Sequence, residues 1–115
     1  MTDAATWPAP WVRAALDLAV LASLTERALH GYAIGQVLAA HGFGLLKGGS
    51  LYPVLGRLEE AGDVEAAWVE GQGGPGRREY ALTARGRERL GRELASWRDL
   101  GDTLTTMGDG VTTHG

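Results

Sequence analysis

No cysteine occurs anywhere in the chain, so disulfides and thiolate-bound metal are excluded. The three histidines, His30, His41 and His114, stand at no ligand-like spacing. No zinc site and no cofactor are therefore expected. Apolar runs long enough to cross a membrane are also missing; the longest, Ala14 to Leu24, is interrupted by Asp17 and Ser23. Asp3 stands near the start and no lysine or arginine precedes Arg13, which is unlike a secretory signal. A cytoplasmic protein without a membrane partner is expected. Nor is there a serine, histidine and acid set placed for nucleophilic catalysis. Gly71, Gly73 and Gly76 spell a dinucleotide fingerprint, but that motif must open a helix, and here a strand is expected to follow. Gly44 to Ser50 holds the ingredients of a phosphate loop in the wrong order, since Lys47 does not directly precede the hydroxyl residue. No enzyme signal survives these exclusions.

What remains is one domain's worth of chain, 115 residues with an ordinary 44% hydrophobic and 22% charged composition. The net charge is −3, yet it is unevenly spread: Gly71 to Arg98 holds seven arginines against three acids, and three acids without a base follow from Asp99. One basic segment in an acidic protein is compatible with DNA contact, and equally with a solvated helix face.

The stretch Lys47 to Gly62 is the most informative. Leu51, Val54, Leu55, Leu58 and Ala61 recur at spacings of three and four and so form one helix face, with Tyr52, Arg57, Glu59 and Glu60 off it. Ser50 is expected as N-cap, Pro53 in the first turn, and Gly62 as a left-handed C-cap. Before it, residues 1–10 read as an arm, ordered only if Trp7 or Trp11 packs on something. A helix follows from about Trp11 to Leu24. It is apolar on almost every side and so calls for cover on both sides: a partner subunit, or the centre of the chain's own core. Thr25 to Leu29 reads as a connection. A second helix runs from about His30 to His41, with Ile34, Val37, Leu38 and His41 on its core face, and ends at Gly42-Phe43-Gly44.

After Gly62, strands are expected from Val64 to Glu70 and from Arg77 to Leu82, joined by a glycine-rich tip. Thr83 caps a last helix running to about Met107. The order is helix, helix, helix, hairpin, helix; two short helices with an intervening turn, the second carrying exposed polar groups, are the helix-turn-helix pattern. The expected class is mainly α with a small β-hairpin. Three helices and the hairpin occupy residues 11–82, the last helix 83–108, and a disordered tail 109–115.

Leu29-His30-Gly31-Tyr32, the run Ser50 to Glu59, Gly62, and Arg77 to Thr83 with Gly86 resemble the PadR family of bacterial transcriptional regulators, over roughly Val12 to Leu90. The single C-terminal helix is similar to the short subfamily, which includes multidrug-responsive repressors. Lys47 stands where that family usually has a serine cap. The resemblance implies a winged helix-turn-helix, a homodimer through the first and last helices, and binding of double-stranded DNA at an inverted repeat. It also implies that Trp97 stacks on flat aromatic ligands at the dimer interface.

On that basis Ser50, Tyr52 and Pro53 are expected at base edges, with Arg57, Lys47 and Tyr32 on phosphate. The hairpin tip would lie along the backbone or minor groove, with Arg77 and Arg78 as anchors and Gln72 near the apex. Half-buried core tyrosines, and an Arg78 paired with Glu65 or Glu79, are the plainer alternatives. Leu90, Leu94, Trp97 and Leu104 form a seam backed by Leu100 and Met107. With Trp11, Leu16 and Val20 this is the expected dimer interface. Gly101 leaves room beside Trp97 for a planar ligand, with Asp17, Leu18 and Leu100 as neighbours and Asp17 or Asp99 favouring cations. The bland account is that Trp97 only fills the interface. A winged helix used solely for protein contact is the competing class, supported by the acid-rich run Glu59 to Glu65.

Overall fold

The structure, a computed structural model, describes residues 4–45, 48–71 and 73–112. In chain order it comprises α1 (Ala9–Ser23), β1 (Leu29–His30), α2 (Gly31–Ala40), α3 (Gly48–Glu60), β2 (Val64–Val69), β3 (Arg77–Leu82), α4 (Ala84–Met107) and α5 (Asp109–Thr112). No helix among the described residues is long and apolar enough to cross a membrane.

α1 begins two residues before Trp11, because Pro8 and Pro10 sit where a missing N–H costs nothing. Its arm is anchored. Thr6 N donates to Gly42 O at 2.8 Å, and the Trp7 ring meets Phe43 edge-on with centroids 5.4 Å apart. The apolar surround of α1 proves to be largely intramolecular. Leu16, Leu18, Ala19, Val20, Leu21 and Leu24 all enter one core with Ile34 and Leu38 of α2 and with Leu51, Val54, Leu55 and Leu58 of α3. Leu16 and Val20, expected at a dimer interface, are therefore core residues; Val20 is 0% exposed. Leu90, also expected there, closes the same core from α4.

α2 and α3 end as expected, and by the same device. Gly42 and Gly62 adopt φ of +93° and +83°. At each, the next residue's amide (Phe43 or Asp63) donates back to a carbonyl five positions earlier, Leu38 or Leu58. That is the Schellman arrangement, which glycine adopts without steric cost.

The start of α3 differs from expectation. The helix opens at Gly48, so Ser50 lies inside the first turn rather than capping it, and Pro53 is interior. A proline there forgoes one helical bond. Pro53 is exposed, so that gap opens toward water. Ala61, assigned by spacing to the core face, is exposed.

The hairpin β2–β3 pairs from Val64↔Leu82 to Val69↔Arg77. It gains a third strand that the sequence did not suggest: β1 pairs antiparallel with β3, Leu29↔Tyr80 and His30↔Glu79, giving the order β1-β3-β2. His30 does double duty, because its ring Nδ1 accepts from Ala33 N at 3.3 Å and caps α2. Thr83 caps α4 as expected: its hydroxyl accepts from Gly86 N at 3.0 Å and donates to Gly62 O at 2.6 Å. The segment expected as a disordered tail begins instead with the helical turn α5, with Asp109 in its first turn, where a carboxylate complements the free amides.

Candidate nucleic-acid interface

The buried face of α3 fixes what the opposite face presents. With Leu51, Val54, Leu55 and Leu58 turned inward, the helical repeat puts Pro53, Gly56 and Glu60 along the outermost stripe. Ser50 and Arg57 border it on one side, Tyr52 and Glu59 on the other.

Each border is tied to another element by an ion pair. Arg57 Nη2 donates to Asp17 Oδ1 of α1 at 2.6 Å, and Arg78 Nη2 of β3 donates to Glu59 Oε2 at 2.6 Å. Arg57 thus points at α1 rather than standing free for phosphate. Arg78 pairs with neither Glu65 nor Glu79, the partners considered from the sequence, but bridges the wing to α3. Its guanidinium also lies over the Tyr80 ring at 5.8 Å. The hydrogen bond to Glu59 and its charge raise the Arg78 pKa above the ordinary arginine value. Burial pushes the Tyr80 phenol up. Arg77 is paired with Glu79 at 3.3 Å and remains 55% exposed at its side chain.

Tyr32 and Tyr52 are not half-buried core; they are 71% and 52% exposed. They line one groove of about 400 Å³ with Gly31, Gly35, Gln36 and Leu45. Tyr52 thus shares its border of α3 with Glu59 and the wing cation Arg78, and Tyr32 joins it across the groove, while Arg57 lies on the opposite border. Lys47 and Gln72 lie outside the described residues.

A second ion network braces this surface from behind, and spacing did not reveal it. Asp63, at the turn after α3, is 3% exposed. Its carboxylate accepts from Arg89 Nη1 of α4 at 2.7 Å, with Arg85 Nε at 3.7 Å. Arg89 also reaches Glu93 at 2.9 Å and Asp17 at 3.7 Å. The bond to Asp63 is the main reason that the Arg89 pKa is raised. Breaking a buried pair from one side is strongly destabilising, because the remaining charge is left without a partner. The only sequence signal was the acid-rich run itself, which tells nothing of which acid is buried.

Trp97 lies elsewhere, over a groove of about 330 Å³ lined by Leu18, Ala19 and Ala22 of α1, Val37 and His41 near α2, Phe43 and Leu94. Leu18 is the one expected neighbour found there. Asp17 is not: the ion pairs to Arg57 and Arg89 hold it on another side of α1. Leu100 and Gly101 do not line the groove; they are exposed one turn farther along α4. Of the expected interface residues, Trp11, Leu94, Trp97, Leu104 and Met107 are exposed, by 62, 43, 40, 59 and 78%.

A sequence model of the transcriptional regulator PadR-like family matches residues 20–92. Among solved structures, a PadR family regulator from Eggerthella lenta DSM 2243 is 32% identical over 85% of each chain, with TM-score 0.77. A PadR-like regulator from Bacillus cereus is 26% identical, covering 85% of this chain and 95% of that one, also with TM-score 0.77. PadR from Bacillus subtilis, solved in complex with operator DNA, is 26% identical with TM-score 0.62; the match covers 69% of this chain and 46% of that longer one. No functionally curated protein matches the chain.

Proposed function

From its place in the PadR-like family of transcriptional regulators, to which this chain belongs, we propose that it is a sequence-specific binder of double-stranded DNA. It acts as a homodimer on an inverted repeat, as a repressor, in the cytoplasm. The observation that carries this reading is the joining of α3 to the wing by Arg78–Glu59, with Tyr32 and Tyr52 exposed beside them. A helix fits the major groove while a projecting hairpin follows the backbone. The first turns of α3, with Ser50, Tyr52 and Pro53, are the ones to meet base edges. Tyr32, Arg77 and Arg57 supply backbone contacts, Arg57 by sharing its guanidinium between Asp17 and a phosphate.

Two of the four acids that spoke for a protein-only role are accounted for: Glu59 is bonded by Arg78 and the buried Asp63 by Arg89, whereas Glu60 and Glu65 stay exposed.

The dimer rests on α4. Its stripe Leu90, Leu94, Trp97, Leu104 begins in the protomer core at Leu90 and continues into solvent, so a second copy extends the same packing. Two heads then reach successive major grooves about 34 Å apart. A flat aromatic ligand stacking on Trp97 beside Leu18 would change the spacing of the heads; useful regulation requires ~1–3 kcal/mol of differential affinity between the two dimer shapes.

A gel shift on the DNA upstream of the chain's own gene, run over a salt series, tests the first claim. The logarithm of affinity should fall with that of salt by roughly 0.9 per phosphate neutralised. Arg77→Ala should weaken binding to all sequences alike and flatten the slope. An unchanged slope removes Arg77 from the interface. For the ligand, titration with a flat dye should quench tryptophan emission, and quenching that persists in Trp97→Phe excludes this groove.

A further inference from the structure

The inner face of the wing carries a residue to which nothing above gives a task. Cross-strand pairing places Val64 with Leu82, Ala66 with Tyr80 and Trp68 with Arg78 on one face of the β2–β3 ribbon. At the base this face is core: Val64 is 2% and Tyr80 6% exposed. Toward the tip it leaves the body, and Trp68 there is 64% exposed. The indole is not loosely placed. A Cβ at Gly76 would lie 2.5 Å from Trp68 Nε1 and 2.6 Å from Cε2, so the ring rests directly on the backbone just ahead of the returning strand. A large apolar ring held open to water on a projecting hairpin forfeits its burial energy unless something covers it.

Charge and position say what does. The face that bears Trp68 and Arg78 holds no acid of its own along the paired strands, whereas the opposite face carries Glu65 and Glu79 against Arg77. The Trp68 face is also the one turned to α3, because Arg78 beside it bonds Glu59 there. Trp68 therefore stands in the angle between the helix that presents Tyr52 and the hairpin that presents the guanidiniums. A strand of duplex lying against α3 passes through that angle.

We propose that Trp68 is a DNA-contacting residue, its ring packed against the deoxyribose–phosphate backbone of the duplex, which is read through α3. This rests on the DNA-binding reading above and adds to it an apolar, sequence-independent contact at the wing. Such a contact displaces no counterions, so it contributes affinity without adding to the salt slope. Covering roughly 60 Å² of indole corresponds to about tenfold in affinity per protomer.

The test uses the full chain and any duplex it binds. Trp68→Ala should lower affinity about tenfold per protomer for specific and unrelated duplexes alike, and leave the salt slope as in the unaltered chain. In the unaltered chain labelled with 5-fluorotryptophan, the fluorine resonance missing from Trp68→Phe should shift on adding duplex. That readout stands even where the alanine variant folds poorly. Binding by the unaltered chain with an unshifted Trp68 resonance, or with full affinity retained in a folded Trp68→Ala, overturns the proposal and leaves the DNA reading intact. Failure of the unaltered chain to bind any duplex removes the functional reading itself, and Trp68's role with it.

Discussion

Gly86 is in the first turn of α4 where that turn crosses the junction between α3 and β2. A Cβ there would drive into the carbonyl oxygen of Asp63, which is already bonded by Thr83 N at 3.1 Å. Neither side can yield cheaply, because Asp63 is pinned by Arg89 and Thr83 by its own capping bonds. Gly86→Ala is therefore expected to cost about 1–3 kcal/mol by overpacking. Gly91, a turn and a half on, has nothing within reach of an added Cβ. Gly91→Ala should instead stabilise by up to about 1 kcal/mol through helix propensity. Thermal or urea unfolding of the two variants checks the contrast. The sequence marked Thr83 as a cap because hydroxyl, spacing and the preceding strand agree. It gave no reason for Gly86, since the neighbour that forbids a side chain lies 23 positions earlier.

α3 is a helix despite its composition. Gly49, Pro53 and Gly56 all disfavour it, so it is held by the four large residues it buries rather than by propensity. Gly56 is exposed with open space around it, and Gly56→Ala should raise stability by roughly 0.5–1 kcal/mol. A bulkier change there tests function separately: Gly56→Leu should fold normally by circular dichroism, yet weaken DNA binding by obstructing the stripe proposed to enter the groove.

Periodicity located α2, α3 and β3, because each carries a face that repeats, whereas α1 was marked by its apolar run and β2 by its place between Gly62 and the glycine-rich tip. β1 was illegible for the opposite reason: two residues carry no period, and the pairing of Leu29 with Tyr80 is a long-range fact. The nearly continuous apolar surround of α1 was legible too, but not its cause. A run of Leu, Val and Ala reads the same whether α2, α3 and α4 cover it or a second copy does. The burial of Leu16 and Val20 decides for the chain's own elements. The polar side of the site shows the same limit: Arg57, Arg78 and Asp17 were marked by type, whereas their partners were set by which elements meet.

At the scale of the molecule, the principal extents are 59 × 35 × 22 Å and the radius of gyration is 16.4 Å. A compact chain of this length would have a radius of about 13 Å. The excess is α4, 24 residues long, which runs past the core after Leu90. From Leu94 to Met107 every residue is exposed, Leu94, Trp97, Leu100, Leu104 and Met107 among them. A helix with that stripe is not stable in water by propensity alone, least of all with Gly101 within it. In the proposed dimer, association of two copies would supply the missing cover and, in the same step, set the distance between two α3 helices. Dimerisation and DNA reading are thus one claim.

Sedimentation velocity of the full chain mixed with a duplex of about three helical turns from upstream of its gene tests that claim most directly. The account predicts a dimer in the free protein at micromolar concentration and one complex holding two chains per duplex. A free monomer that loads one chain per duplex, or that leaves the duplex unbound, would contradict it.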